Sequence, residues 1–434
     1  MNKACYFTAS ELAERGIGNL PDELCSAKHM IYSSPATLDY NSPGAKGFGV
    51  KRAGLVIPES VMLLVAPGCC GRNTALLNSL GYSERFFYLL LDDTDIVTGR
   101  YLNKIPKACA EIAEEMNPKP SAIVICVTCA DALLGTDMDR VCRSCEEASG
   151  IPSVPAYMYA LTREKRLPPM ALVRKSVYSL LKPQKRKSNE CALLGYFSAL
   201  NDTCELYPLL RSAGIREIHE IGRCKTFAEY SEISRSNFSI VLNAEARYAA
   251  QDMQKALGIP FIELTRLYRI DKIRTQYRLL GQAIGADLDD APYYADAKKK
   301  TEEFRLKYGS LRFAVGECLN ADSFELALSL LEYGHRVTEI YGTIGERNFV
   351  FLKKIAEHSP ETRIYSNLDP SMLCYVREPE TDAVIGNDAM YYHPDLPGIG
   401  FQEEAQPFGY QGVCALFSQL DAALEANKRQ EVQE

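Results

Sequence analysis

The sequence predicts an α/β protein of three Rossmann-like domains with parallel sheets, on three observations. A strand-loop-helix-strand unit is written three times along the chain. At 434 residues the chain is long enough for about three domains of ~150 residues each. Its hydrophobic content of 47% with 24% charged residues is that of an ordinary globular protein, which has enough apolar side chains to fill several cores.

The first unit runs from strand "VMLLV" through loop "APGCCGRN" and helix "TALLNSL" to Gly81 and the apolar strand "RFFYLLL". The second is "CALLGYFSALNDTCELYPLLRSAGIREIHEIG" (191–222), where Asn201 and Asp202 are placed to cap the helix and Gly214 to stop it. The third is "LRFAVGECLNADSFELALSLLEYGHRVTEIYG" (311–342), with Asn320 and Asp322 before its helix and Gly334 after it. Such units build parallel sheets with helices on both faces. "SAIVICVTC" (121–129), "FSIVLNA" (238–244), "TRIYSN" (362–367) and "DAVIGN" (382–387) supply further strands. The pattern breaks at the basic "KPQKRKSNE" (182–190) and along a charged helix near 295–308. Domains are therefore expected at 1–182, 191–290 and 311–425.

Several function classes are set aside. A net charge of -7 and a pI near 5.5 argue against nucleic-acid binding, which needs clustered cations. The N-terminus has no signal-peptide core and no stretch approaches a membrane span, so a cytoplasmic protein away from membranes is expected. There is no G-x-x-x-x-G-K-[ST], no G-x-G-x-x-G opening a helix after a strand, and no G-x-S-x-G elbow. Of the histidines at 29, 219, 335, 358 and 393, only His393, in "GNDAMYYHPD", follows a strand end in a cavity-like context. It reads first as a satisfied core or surface histidine.

What remains is sulfur. Fifteen cysteines in a reducing compartment are buried small hydrophobes or metal ligands, not a disulfide framework. Cys126/Cys129 and Cys142/Cys145 have the spacing of a zinc ribbon. Their context opposes it, since Cys126 lies in a strand run and "DMDRVCRSCEEASG" reads as helix. Cys69, Cys70 and Cys129 instead stand at two strand ends of the first domain. Iron–sulfur clusters are commonly held by four thiolates. Three from one chain suggest a cluster shared across a symmetric dimer. Side chains of adjacent extended residues point apart, so Cys69 ligates beside Cys70 only if the loop bends, which Pro67-Gly68 and Gly71 permit. Otherwise Cys69 faces the core.

On these residues the first domain resembles the nitrogenase component 1 superfamily. The family's G-P-x-G-C stretch is matched by "APGCC", placing Cys70 in its ligand position, and the family's last cluster cysteine in that domain is matched by Cys129 in "VTCADALLGTD". "DTDIVTGR", "DAVIGND" and the three-domain plan agree with the same family. There are departures. Tyr40 stands near the position of the family's first cluster cysteine, Thr301 where a cofactor cysteine would be, and "GFQEEAQPFGYQG" lacks the cofactor histidine; Cys5 and Cys25 lie too far upstream to be placed. The resemblance implies a single [4Fe–4S] cluster rather than a full P-cluster, and no FeMo-type cofactor. It implies a homodimer or a paralogous heterodimer, and a separate ATP-hydrolysing [4Fe–4S] reductase protein as electron donor. The function expected is that of a nitrogenase-like catalytic oxidoreductase, with loops "GYFSALND", "GECLNAD", "GNDAMYYHPD" and "PFGYQG" as cleft candidates and no catalytic residue assigned. The alternative is a non-catalytic scaffold or carrier for metallocluster assembly. A cluster-free binding protein whose cysteines only pack is the third reading.

Overall fold

Fourteen strands in three sheets are found among the residues described by the computed structural model, 3–24, 34–36, 49–68, 81–158 and 167–431. In chain order they begin β1 (Phe7–Thr8), β2 (Val61–Ala66), β3 (Phe86–Leu90), β4 (Ile123–Thr128), β5 (Ser153–Met158), β6 (Lys187–Leu194) and β7 (Glu217–Glu220). They continue as β8 (Ser236–Val241), β9 (Phe261–Glu263), β10 (Arg312–Val315), β11 (Arg336–Tyr341), β12 (Arg363–Tyr365), β13 (Ala383–Ile385) and β14 (Gly398–Ile399). The chain divides into two compact units, Pro43–Ala199 with Ile215–Thr265, and Met1–Ser42 with Leu200–Gly214 and Arg266–Glu434.

The first of these units holds two parallel four-stranded sheets, ordered β3-β2-β4-β5 and β7-β6-β8-β9. Strands β2 and β4 are buried along their whole length, and this is why they read as unbroken apolar runs: a parallel sheet is covered on both faces. On one face Leu63, Val65, Ile125 and Val127 pack with Ile105, Cys109, Cys142 and Cys145 of the helices Tyr101–Glu115 and Met138–Ser149. On the other, Met62, Leu64, Val124 and Cys126 share a core with Ala192, Leu194 and Val241 of the second sheet.

The second unit holds one six-stranded sheet, β1-β12-β11-β10-β13-β14, parallel except where β1 runs antiparallel to β12. Its order reverses between β10 and β13, so a crevice opens at their carboxyl ends. Asp322 caps the helix Ser323–Glu332 by accepting from the Phe324 and Glu325 amides. Asn201 and Asp202 do not cap the helix Leu206–Ser212, whose N-cap position is Glu205. The Asn201 carboxamide is drawn into a local turn, accepting from the Thr203 amide at 3.0 Å. No helix among the described residues is long and apolar enough to cross a membrane.

Candidate metal centre

Strands β2 and β4 are neighbours, with Val65 opposite Val127, and the sheet order reverses between them. Their carboxyl ends therefore form the crevice where ligands of parallel α/β sheets bind. After β2 the chain enters Pro67-Gly68; after β4 it turns at once into the helix Cys129–Leu134, with Thr128 extended before it and Gly135 left-handed (φ +69°) after it. Cys129 is partly buried and so reachable. Strand spacing of about 4.8 Å brings the two exits close. The Tyr88 hydroxyl fixes one of them by donating to the Pro67 carbonyl at 2.6 Å. Cys69 and Cys70, the other two predicted ligands, lie outside the described residues, as do Tyr40 and Cys25. Cys5 belongs to the other compact unit, and burial, together with Glu23 and Asp369, raises its thiol above the ordinary range.

In "DTDIVTGR" the buried Asp95 is structural. Its amide donates to Asp92 at 2.7 Å, its carboxylate takes Lys104 at 2.6 Å, and that hydrogen bond leads the causes that hold its pKa below the ordinary carboxylate range. The zinc-ribbon spacing does not converge. Cys126 faces the core on one side of the first sheet, while Cys142 and Cys145 sit in the core on the other. Burial pushes the Cys142 thiol up to about 12, away from the thiolate that a metal needs. Among the described residues no three His, Cys, Asp or Glu side chains come together as a metal site.

The loops predicted to line a cleft are tied up internally. In "GECLNAD" the Glu317 and Cys318 amides donate to Asp388 at 2.9 and 3.0 Å, and a Cβ on Gly316 would lie 2.0 Å from that carboxylate. Asp388 thus fills the strand-end position where a ligand's anionic group would be expected. Glu317 accepts from the Thr343 amide, the Thr343 hydroxyl and Asn367, and burial, reinforced by Asp388, raises its carboxyl. In "PFGYQG" the Tyr410 and Gln411 amides, at the start of the helix Gly409–Glu431, donate to Glu205. At the head of "GYFSALND" the buried Arg174 donates to the Gly195 carbonyl and to Glu245, both at 2.7 Å. His393, in the last of these loops, is buried, its Nε2 3.0 Å from Glu339. Thr301 is a packing residue whose hydroxyl bonds to the Lys298 carbonyl within its own helix. Sequence reasoning missed Arg174, Glu205, Glu339 and Asp388, because each acts through partners distant in the chain.

The sequence profile of the nitrogenase component 1 type oxidoreductases matches residues 46–425. The chain belongs to that family. Among curated component 1 relatives it is 25% identical over 358 residues to the "Nitrogenase iron-molybdenum cofactor biosynthesis protein NifE" of Sinorhizobium fredii, covering 77% of this chain and 71% of that one. It is 24% identical over 421 residues to the protein of the same name from Mesorhizobium japonicum, covering 90% and 83%. The fold matches the solved structure "Nitrogenase Cp1 at pH 6.5" with a TM-score of 0.74 at 15% identity, over 96% of this chain and 98% of that one.

Within the component 1 family these relatives overturn one expectation. The chain was expected to be a catalytic reductase component; the curated proteins it resembles are named for cofactor biosynthesis. The resemblance in the first domain told the family correctly but not the branch. Both readings were expected to use the same cysteines, so Cys129 could not separate them.

Proposed function

We propose that this protein is a scaffold on which a metallocluster is assembled or carried before transfer to another protein. The observation that carries this reading is the name shared by its curated relatives, one of them matched over 90% of the chain. The site is compatible with it. Cys70 and Cys129, with Cys69 beside them, would hold a [4Fe–4S] cluster completed by a second chain, identical or paralogous. A separate ATP-hydrolysing iron–sulfur protein would supply electrons during assembly. The three-domain division serves as the working plan, with the cluster on the first domain. Thr301, and the absence of histidine from "GFQEEAQPFGYQG", suit a chain that does not retain a FeMo-type cofactor permanently and so can release its cargo.

The test is transfer. Protein isolated anaerobically from cells making metal cofactor is mixed with a cofactor-deficient acceptor and re-separated. Iron and the heterometal should move to the acceptor and activate it, while the protein with a reductase and ATP turns over no substrate. Sustained reduction with no metal transfer would overturn the reading.

A further inference from the structure

Four donor atoms converge inside the second unit, at the carboxyl end of β11. Glu339 and Tyr341, two residues apart, project to the same face of that strand. Tyr375 follows the short helix Pro370–Cys374, and His393 follows the helix Asn387–Tyr392. Glu339, Tyr341 and His393 are buried and Tyr375 is partly so. Oε2 of Glu339, the Tyr341 hydroxyl, the Tyr375 hydroxyl and Nε2 of His393 are all mutual neighbours. From Glu339 the distances are 3.2 Å to Tyr341, 3.0 Å to Tyr375 and 3.0 Å to His393. Tyr341 lies 2.9 Å from Tyr375 and 2.9 Å from His393, and Tyr375 lies 3.1 Å from His393.

Hydrogen bonding does not account for six such contacts. The two phenols and Nε2 bring at most three protons, and a protonated Glu339 would bring a fourth. A proton bridges one near-linear pair well, so at least two pairs of electronegative atoms touch with nothing between them. Six nearly equal separations define a nearly regular tetrahedron. Its centre lies about 1.9 Å from every donor, on the order of the ~2.0–2.2 Å bonds from a four-coordinate metal to nitrogen and oxygen.

We propose that Glu339, Tyr341, Tyr375 and His393 form a cation site and that the cation is ferric iron. Charge and ligand type carry the choice of ion. One carboxylate and two phenolates bring three negative charges, which a trivalent ion cancels; a divalent ion leaves one uncompensated in the interior, at high cost. Three oxygens and an imidazole are hard donors, suited to a hard ion. The rings are held in place by their neighbours, with Tyr341 stacked on Tyr392 at 4.9 Å and on Tyr365 at 5.5 Å. The site contains no cysteine and is independent of the scaffold reading.

The full chain, stripped with a chelator, is titrated with ferric nitrilotriacetate in a Cys129→Ala background to remove colour from the cysteine site. One ferric ion should bind per chain, with a visible phenolate-to-iron charge-transfer band and a high-spin ferric EPR signal. Tyr375→Phe removes only a hydroxyl at a half-buried position. It should fold normally by circular dichroism and weaken binding by about 100-fold or more, at least the loss seen when partners of metal ligands are removed. A folded protein that takes up neither ferric iron nor zinc, or one that binds iron equally well as Tyr375→Phe, overturns the site. Zinc bound in preference to ferric iron overturns the choice of ion.

Discussion

Val65 and Val127 are register partners in adjacent parallel strands, so the chain leaves the first sheet at Pro67 and at Cys129 on the same level. That single pairing brings the strand exit at Pro67-Gly68 level with Cys129, though about sixty residues separate them in sequence.

Cysteine substitutions should therefore divide by position. Cys129→Ala is expected to lose most of the iron and sulfide bound by anaerobically purified protein. Cys126→Ala and Cys145→Ala, which alter buried thiols on opposite faces of the sheet, should keep both at the wild-type level and lose only about 1 kcal/mol of stability to the small cavity. Iron and sulfide counts across the three variants decide this. Equal retention in all of them would remove Cys129 from the site.

The strands were legible because their apolar runs are local signals. "VMLLV" and "SAIVICVT" are continuous because both faces of that sheet are covered, and Asp322 announced its helix because a cap acts over three residues. Polar partners were not legible. Arg174 and Glu245 are 71 residues apart, and Glu205 and Tyr410 are 205 apart; no periodicity reports such pairs. His393 looked solitary because Glu339 precedes it by 54 residues, and Asn201 misled because an Asx-type turn and a helix cap draw on the same residue type.

Gly409→Ala should be among the most damaging single-methyl changes in the protein. Gly409 has φ +60°, and a Cβ there would lie 1.9 Å from a Glu205 carboxylate oxygen and 2.3 Å from the Tyr277 hydroxyl. That carboxylate holds the first amides of the helix Gly409–Glu431. The left-handed backbone and displaced buried hydrogen bonds together cost about 2–4 kcal/mol. Gly285→Ala is the control: φ is +71° there, but nothing lies within 4 Å of the added carbon. Urea unfolding should show Gly409→Ala losing clearly more.

Glu325 should make stability fall as pH rises. Its carboxyl is 1% exposed and accepts from the Tyr268 amide at 2.9 Å, and burial pushes it up to about 8. Between about 4.5, the unfolded value, and 8 the native state therefore binds more protons than the unfolded chain, and stability drops through that window. Glu325→Gln keeps an acceptor for Tyr268 and cannot ionise. Its urea midpoint should change less than the wild type's between pH 5 and 8.

His335 should act in the opposite direction. The ring is 4% exposed, edge-on to Phe304 and Phe313 at 5.6 and 5.4 Å. Nδ1 accepts from the Leu311 amide at 3.3 Å, so the proton of the neutral ring is on Nε2, which is buried without a protein partner. Burial, with the nearby Arg305 charge, lowers the group to about 4. Between about 4 and 6.5 the unfolded chain binds the proton and the native state does not. The contribution of the neutral ring is complete above about 6.5 and is lost as pH falls toward 4, roughly 2 kcal/mol of it by pH 5. His335→Asn offers an oxygen where Nδ1 accepts but carries no titrating group. The variant should be less stable than wild type at pH 7.5, because the smaller side chain leaves space among the phenylalanines, and the gap should narrow by about 2 kcal/mol at pH 5. Because Glu325 tilts the wild-type curve the other way, the comparison is made as a difference between the two proteins at each pH. A gap that stays constant from pH 7.5 to 5 would mean that His335 takes up its proton in the folded core at the same pH as in the unfolded chain.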